Sequence, residues 1–319
     1  MNIEFDPSEL RLLVDDKTIR LHPLWMRERS REEIAVDQKS FQRLYDPETL
    51  ADDLTFSDAK QLGSDEILIK FSDQHVAKYS LKDLLLEIEK KNNLPEKILW
   101  NTNSLEFKQF YFNYNREIEK QMLEILEHFH QYGFVVVKDL KAKEGEVINF
   151  AERIGFIRET NFGKIFNVKS KKQPSDLAYT SIELGPHTDN PYRRPVPSIQ
   201  FLFSIENSCD GGDSILVDGF QVAKDLKTQY PDAFKILTET NIFFKYTDQD
   251  TVLENTGTTI ELDDEGNFIQ IRFSNRLDLV PHQSPDELVK YYNAKRIFHG
   301  MINSDKYLIK FRLPAGGLL

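Results

Sequence analysis

Five short apolar stretches follow one another in the second half of the chain, and they decide the fold class. Their sequences are QFLF at 200–203, SILV at 214–217, IFF at 242–244, TTI at 258–260 and FIQI at 268–271. Short runs of β-branched and aromatic residues between turn-forming residues are typical of strands. No regular alternation with helices separates them, so the pattern favours an antiparallel sandwich or barrel over a doubly wound sheet. We predict a mainly β, α+β fold with a few covering helices.

Amphipathic patterns also predict four helices. Apolar residues recur with helical spacing over residues 80–91, 115–131, 144–154 and 284–302. The last of these helices has the strongest start signal, because Ser284 and Glu287 have the spacing of a capping box and Pro285 occupies the first helical position.

A domain boundary is predicted near residue 95. Before it, short apolar stretches such as residues 66–71 alternate in the strand period and are separated by Asp, Ser and Gly. The polar run KKNN at 90–93, followed by Pro95, is typical of a linker. We therefore predict a small β-rich N-terminal domain over residues 1–95 and a larger domain over residues 96–319.

The composition indicates a globular protein with a sizeable core. Of 319 residues, 40% are apolar and 29% are charged, which excludes disordered and low-complexity classes. The net charge of −11 argues against a nucleic-acid partner.

No apolar stretch approaches the roughly 20 residues that cross a bilayer, and the acidic first residues do not form a signal peptide. We expect no membrane association and a cytoplasmic location. The single cysteine, Cys209, excludes an internal disulfide and a multi-thiolate metal site.

His187-Thr188-Asp189 is the strongest local chemical signal. In an extended segment, positions two apart point to the same side, so the imidazole and the carboxylate can coordinate one metal ion. Together with a distant second histidine, such a pair forms the facial triad of non-haem Fe(II) oxygenases. A His-x-Asp pair alone is a weak signal. The alternative is a surface histidine that is hydrogen-bonded to a nearby aspartate.

Further motifs surround this pair in a fixed order. They are Ala178-Tyr179-Thr180, His187-Thr188-Asp189-Asn190-Pro191-Tyr192-Arg193, Gly211-Gly212-Asp213-Ser214 and Val217-Asp218-Gly219-Phe220. The series resembles the γ-butyrobetaine and trimethyllysine dioxygenase group, relatives of taurine dioxygenase among the Fe(II)/2-oxoglutarate-dependent oxygenases. Leu24-Trp25-Met26-Arg27 and Asp73-Gln74-His75 resemble the small domain that precedes the catalytic domain in that group. The resemblance implies a double-stranded β-helix (jelly-roll) catalytic domain.

The resemblance also implies cofactors and part of the site. It makes His187 and Asp189 iron ligands and Ser214 a contact of 2-oxoglutarate, with Fe(II), 2-oxoglutarate and O2 as the required set. It further implies an aromatic cage for a trimethylammonium group, built from Phe162, Phe166 and Tyr179. A quaternary ammonium cannot donate a hydrogen bond and is held by ring faces instead. The alternative for Phe162 and Phe166 is ordinary core packing.

Four polar residues bear on the substrate. Asn190 belongs to the His-Thr-Asp motif, and Asn275 and Arg276 match a stretch that holds the anionic end of the substrate in some members of the group. An arginine suits a carboxylate or a phosphonate, although a solvated surface arginine is the alternative. Asp176 stands where γ-butyrobetaine enzymes carry Asn, and a carboxylate there would repel a substrate carboxylate. Asp176 therefore favours a second cationic group, whereas Arg276 favours an anion.

These assignments predict hydroxylation of a small trimethylammonium substrate such as γ-butyrobetaine. The alternatives are trimethyllysine or a trimethylaminoalkylphosphonate as substrate, or a catalytically inactive relative that only binds such compounds. Relatives of this group are often dimers, so the resemblance is compatible with a homodimer, but the sequence itself does not determine the oligomeric state.

The family pattern breaks after residue 313. In the family, the second iron-binding histidine and an arginine for 2-oxoglutarate follow a strand that corresponds to residues 307–313, so both would lie beyond Leu319. We therefore expect a C-terminally truncated sequence with weak metal binding and little turnover. His299 is the alternative third ligand, but its helical context favours a packed histidine or one at the rim of the core. Arg312 has the context of a solvent-facing strand residue rather than of a cosubstrate ligand.

No structural zinc is expected in the N-terminal domain. Some relatives bind zinc there through three cysteines and one histidine. The histidine is retained as His75, but residues 25–31 contain no cysteine. A tetrahedral structural zinc site needs four good ligands.

Overall fold

The computed structural model divides into two compact units, Met1–Asn93 and Leu94–Leu319. The residues that it describes are 2–14, 17–89, 94–115, 117–168, 184–208 and 211–319. Among them, no helix has the length and apolar character needed to cross a membrane. Cys209 lies outside the described residues.

The N-terminal unit consists of two three-stranded antiparallel sheets and two short helices. Its elements are β1 (Asn2–Asp6), β2 (Glu9–Val14), β3 (Lys17–Leu21), α1 (Pro23–Glu28), β4 (Phe56–Leu62), β5 (Glu66–Phe71), β6 (Val76–Ser80) and α2 (Leu81–Ile88). The sheet orders are β1-β2-β3 and β4-β5-β6. Alternate residues of β2 and β5, such as Leu10, Leu12, Ile67 and Ile69, are fully buried in one shared core, as expected for strands with one face covered.

His75 lies in a buried polar network of this unit. Its residue exposure is 8%, and its Nε2 atom is 2.8 Å from Oγ of Ser30, which is also buried. The carboxylate of Asp73 accepts the backbone N–H of His75 at 3.0 Å and pairs with Nε of Arg27 at 2.9 Å. His75, the histidine retained in the Asp-Gln-His motif, is thus hydrogen-bonded to a hydroxyl.

Acid is expected to destabilise the N-terminal unit through His75. Burial lowers the pKa of His75 below its ordinary value of 6.5. The unfolded chain therefore binds the proton more readily than the folded chain. The contribution of neutral His75 to the free energy of unfolding is fully present above pH 6.5 and is lost as the pH falls below that value.

In His75→Gln, the urea midpoint should vary less between pH 7 and pH 5 than in the original protein. The exposed His282→Gln is the control, and equal pH dependence in His75→Gln and the original protein would contradict the assignment.

The larger unit mixes helices with short strands. Its strands are β7 (Tyr111–Asn113), β8 (Val136–Lys138), β9 (Ser214–Leu216), β10 (Asn241–Thr247), β11 (Val252–Thr258), β12 (Ile260–Leu262), β13 (Phe268–Ile271), β14 (Asp278–Leu279) and β15 (Ile309–Phe311). Its helices are α3 (Ile118–Tyr132), α4 (Glu146–Ile154), α5 (Gly219–Gln229), α6 (Pro231–Glu239) and α7 (Pro285–Ile302). Antiparallel sheets form in the orders β11-β10-β14, β12-β13 and β15-β9, and β7 pairs with β8 in parallel.

The largest core lies where α5, α6 and α7 pack near β10 and β12. Alternate residues of β10, ending at Tyr246, are buried in this core. The buried face of α7, which includes Tyr291 and Phe298, packs against the same core. The predicted helices α2, α3, α4 and α7 are observed within three residues at each end, and the capping box of Ser284 and Glu287 is present. The helices α5 and α6 were not predicted. Asp218 caps α5, and Pro231 begins α6.

Residues 316–319, which begin in a turn at Gly316, insert between residues 137–140 and residues 202–204. The backbone groups of Val137 and Leu318 exchange two hydrogen bonds of 2.8 Å, and those of Leu202 and Leu319 exchange two of 2.9 Å. The prediction of a regular strand at 200–203 is therefore wrong, because the described residues form only an isolated β-bridge there, between Phe203 and Leu318. Its backbone partners come from a segment more than a hundred residues away, which no local pattern reveals.

Candidate active site

His187-Thr188-Asp189 lies in an irregular segment rather than in a strand. The backbone N–H of Thr188 donates to the carbonyl oxygen of Phe273 at 2.8 Å, and the backbone N–H of Phe273 donates to Oγ1 of Thr188 at 2.9 Å. The central residue of the motif is thus tied to the chain directly after β13. The side chains on either side of it meet, which places His187 and Asp189 on one side of the segment.

In each proposed metal ligand, one side-chain atom makes a hydrogen bond to a third residue and the other atom faces the second ligand. Nε2 of His187 is 3.1 Å from Oδ1 of Asp189. Nδ1 of His187 lies 2.8 Å from the carbonyl oxygen of Gly185, a contact that places the proton on Nδ1. Oδ2 of Asp189 accepts a hydrogen bond of 2.7 Å from Nε2 of Gln200. The atoms left to bind a metal are Nε2 of the imidazole and Oδ1 of the carboxylate.

The pairing of His187 with Asp189 favours the charged form of each side chain. The hydrogen bond to Asp189 is the main cause that raises the pKa of His187, against the opposing effect of burial. The same hydrogen bond is the main cause that lowers the pKa of Asp189. A divalent cation would bind between the same two atoms, Nε2 of His187 and Oδ1 of Asp189, and would displace any proton held there.

No third metal ligand joins them in the part of the chain that the structure describes. Within those residues, no three His, Cys, Asp or Glu side chains converge on one point. His299 lies on the exposed edge of α7, beside the buried stripe rather than in it, and its ring centroid is 6.2 Å from that of Phe273. The described residues therefore give no support to His299 as third ligand. The guanidinium of Arg312 donates to the backbone carbonyls of Asn207 and Gly211 at 2.9 and 3.2 Å.

Ser214, the predicted 2-oxoglutarate contact, begins β9 and lies opposite Phe311 of β15. It is half-buried. No hydrogen bond within the described ranges joins Ser214 to His187 or Asp189, so its role stays a prediction.

Of the aromatic residues predicted for the cage, Phe162 packs against the main core and Phe166 lies beside Phe162. The ring centroids of Phe162 and Phe166 are 5.8 Å apart, and Phe166 is 48% exposed. Phe162 also contacts Tyr246 edge-to-face at 5.5 Å, and Tyr246 stacks on Tyr192 at 5.1 Å. Core packing and a role in a cage are therefore both compatible with Phe162. Tyr179 and Asp176 lie outside the described residues.

Tyr192 and Tyr246 are the members of this group that the sequence reasoning missed. Tyr192 was visible within the His-Thr-Asp motif, three residues after Asp189. Tyr246 continues the alternation of Ile242 and Phe244 along β10, all three of which are buried. The alternation identified the buried face, but nothing local indicated that this face meets Phe162.

The turn after Asp189 is fixed by polar contacts. Asn190 has a φ of 53°, and its Oδ1 accepts a hydrogen bond of 2.6 Å from the hydroxyl of Tyr192. Nδ2 of Asn255 donates to the carbonyl oxygens of Pro191 and Arg193 at 3.2 and 2.9 Å. Asn190 therefore links the proposed metal ligands to the aromatic group.

Asn275 and Arg276 lie exposed in the turn after the buried Ser274. The hydrogen bond between His187 and Asp189 dominates the pKa of both groups, and the positive charge of Arg276 adds a smaller effect. This charge opposes the raised pKa of His187 and adds to the lowering of the pKa of Asp189. Among the described residues, Arg276 takes part in no hydrogen bond or ion pair. Within the described ranges, the turn therefore presents a cation without an ion-pair partner near the proposed metal ligands.

The chain belongs to the taurine catabolism dioxygenase TauD/TfdA family, whose model matches residues 101–319. Members of this family have a jelly-roll fold and generally use Fe(II), 2-oxoglutarate and O2. The chain is thus a 2-oxoglutarate-dependent dioxygenase by class, and the resemblance inferred from the motifs is confirmed.

Its curated relatives include two kinds of dioxygenase. The chain is 28% identical to a gamma-butyrobetaine dioxygenase of Pseudomonas sp. (strain AK-1) over 312 residues, 95% of this chain and 81% of that protein. It is 28% identical to the gamma-butyrobetaine dioxygenase of Homo sapiens over 269 residues, 80% of this chain and 69% of the relative. The mitochondrial trimethyllysine dioxygenase of Gallus gallus is 27% identical over 312 residues, 94% of this chain and 69% of the relative.

Proposed function

We propose that the protein is an Fe(II)/2-oxoglutarate-dependent hydroxylase of a small trimethylammonium compound such as γ-butyrobetaine. The observation that carries this proposal is the 3.1 Å approach of Nε2 of His187 to Oδ1 of Asp189, within a family of dioxygenases. In the reaction, a substrate C–H bond, O2 and 2-oxoglutarate yield the C–OH product, succinate and CO2. When bound, iron and its cosubstrate supply the oxidation chemistry.

His187 and Asp189 hold the metal in this proposal, and Ser214 contacts 2-oxoglutarate. An imidazole nitrogen and a carboxylate oxygen are the ligand types that the Fe(II) centres of such oxygenases use. The protein adds the positioning of the substrate, because a reacting carbon must be held in place near the metal.

Phe162 and Phe166, together with Tyr179, bind the trimethylammonium group in this proposal. The rings of Phe162 and Phe166 are tilted by 47° to each other, and half of Phe166 is accessible. Two neighbouring rings that are not parallel present faces to a shared space, which suits a cation without hydrogen-bond donors. Tyr192 and Tyr246 support Phe162 from the core side.

Arg276 binds the anionic end of the substrate, assisted by Asn275 and Asn190. The support is the exposed position of Arg276 and the effect of its charge on both proposed metal ligands. A substrate with a quaternary ammonium at one end and a carboxylate or phosphonate at the other would neutralise this cation. Among the candidates, γ-butyrobetaine and trimethylaminoalkylphosphonates have only an anion at the second end. Trimethyllysine, which Asp176 favours, carries a second cationic group beside its carboxylate and is the alternative.

Replacing Arg276 by Gln should weaken binding of the anionic substrate about 10- to 100-fold, because a charge-assisted hydrogen bond is lost. Isothermal titration with γ-butyrobetaine measures this loss, with Arg296→Gln on α7 as the control. The amide analogue, which lacks the carboxylate and keeps the trimethylammonium cation, should bind Arg276→Gln and the original protein equally. If Arg276→Gln bound γ-butyrobetaine as the original protein does, the anion site would lie elsewhere.

The proposed activity is tested by supplying Fe(II), 2-oxoglutarate and O2 with one trimethylammonium compound at a time. The expected result is succinate formation that rises with γ-butyrobetaine, trimethyllysine or the phosphonate, together with a product heavier by one oxygen atom. The rate should be low, because the described residues supply only two of the metal ligands. The matching primary amines are the controls. Succinate formation that no trimethylammonium compound increases would contradict the proposal, and binding without succinate would indicate a non-catalytic binding protein.

A further inference from the structure

Gln200 reaches the proposed iron-binding carboxylate from eleven residues further along the chain. Its Nε2 atom donates to Oδ2 of Asp189 at 2.7 Å, while Oδ1 of the same carboxylate faces His187. A carboxylate that rotates freely can bind a metal through either oxygen or through both. An amide donor fixed on one oxygen removes that choice.

We propose that Gln200 is a positioning residue that makes Asp189 bind iron through Oδ1 alone. This inference rests on the proposed iron site. The arrangement matches that of the other ligand, because Nδ1 of His187 is tied to the carbonyl oxygen of Gly185 at 2.8 Å and Nε2 is left for the metal. With one atom from each residue, the metal keeps more positions for 2-oxoglutarate and O2 than it would with a bidentate carboxylate.

The backbone that carries Gln200 is itself anchored. Leu202 exchanges two hydrogen bonds of 2.9 Å with Leu319, and the backbone N–H of Ser204 donates to the carbonyl oxygen of Gly317 at 2.8 Å. Gln200 therefore extends from a segment with fixed register. A donor on a fixed backbone can orient a carboxylate, whereas a donor on a freely moving loop would follow it.

The side chain of Gln200 can be replaced without disturbing a core, because the residue is exposed. Gln200→Leu removes the amide donor and keeps a similar size. Gln221→Leu is the matched control, since Gln221 makes a comparable hydrogen bond of 2.9 Å to Asp225 within α5. Equal midpoints of thermal unfolding in the two variants and the original protein would show that the fold is retained.

The test measures metal binding rather than turnover. Mn(II) binding is followed by electron paramagnetic resonance in the full chain, and the coordination of Co(II) is followed by its visible absorption spectrum. Gln200→Leu should weaken Mn(II) binding about tenfold and shift the Co(II) bands, because the released carboxylate can engage through both oxygens. Gln221→Leu should change neither quantity.

Two outcomes would overturn the inference in distinguishable ways. If Gln200→Leu bound Mn(II) as tightly as the original protein and gave the same Co(II) spectrum, Gln200 would have no positioning role and the iron site would stand. If the original protein bound neither metal, or if His187→Ala did not weaken binding, the proposed iron site and this inference would both fail.

Discussion

Replacing either His187 or Asp189 by alanine is expected to weaken divalent-metal binding by about 100-fold or more. Each side chain supplies one of the two atoms that face each other across 3.1 Å. Loss of one side chain leaves a single protein ligand among the described residues. Removing a hydrogen bond that only supports a metal ligand already lowers metal affinity about 10- to 100-fold, so removing the ligand itself should lower it at least as much. Titration with Mn(II), followed by electron paramagnetic resonance, measures the affinity directly.

Two variants serve as controls for this result. Asp213→Ala removes an exposed carboxylate from the Gly-Gly-Asp-Ser motif, and His282→Ala removes an exposed imidazole before α7. Both should bind Mn(II) as the original protein does. Retention of the original affinity in His187→Ala or Asp189→Ala would show that the metal binds elsewhere.

Substitution of Gly316 by alanine should cause a large loss of stability in the larger unit. A Cβ atom at this position would lie 2.4 Å from the carbonyl oxygen of Leu140, and the φ angle of +78° is unfavourable for a side chain. Relief of this overlap must move residues 316–319 and strain the hydrogen bond of 3.0 Å from the N–H of Leu140 to the carbonyl oxygen of Gly316. We expect the free energy of unfolding to fall by about 3 kcal/mol, as measured by urea denaturation.

Gly266→Ala separates the two causes of this loss. Gly266 has a similar φ of +85°, but an added Cβ would meet no atom within 4 Å. Its substitution should therefore cost only about 1 kcal/mol, the strain of the left-handed backbone. If Gly316→Ala cost no more than Gly266→Ala, the close approach to Leu140 would not be a constraint on the fold.

The parts of the fold that local sequence could predict are those that local interactions determine. Helix α7 was predicted because its cap, Ser284 with Glu287, and its apolar stripe are contained in the element itself. Residues 200–203 failed as a strand because their pairing depends on residues 317–319, and no periodicity encodes so distant a partner. Helices α5 and α6 were missed although Asp218 and Pro231 are ordinary start signals.

The same distinction applies to the site. His187 and Asp189 could be singled out because two residues of the right type stand two positions apart. The contacts that orient them could not be predicted, since Thr188 is held by Phe273, 85 residues away, and Asp189 by Gln200. Tyr246 reaches Phe162 only because β10 lies beside the core that Phe162 covers.

The central claim is that Nε2 of His187 and Oδ1 of Asp189 bind iron. The most direct test is an anomalous difference map, recorded at the iron absorption edge, from crystals grown without oxygen in the presence of Fe(II) and 2-oxoglutarate. We expect one peak within bonding distance of both atoms. A peak elsewhere in the molecule would contradict this assignment. So would an iron peak that contacts Oδ2 of Asp189, the oxygen now bonded to Gln200, and does not contact His187.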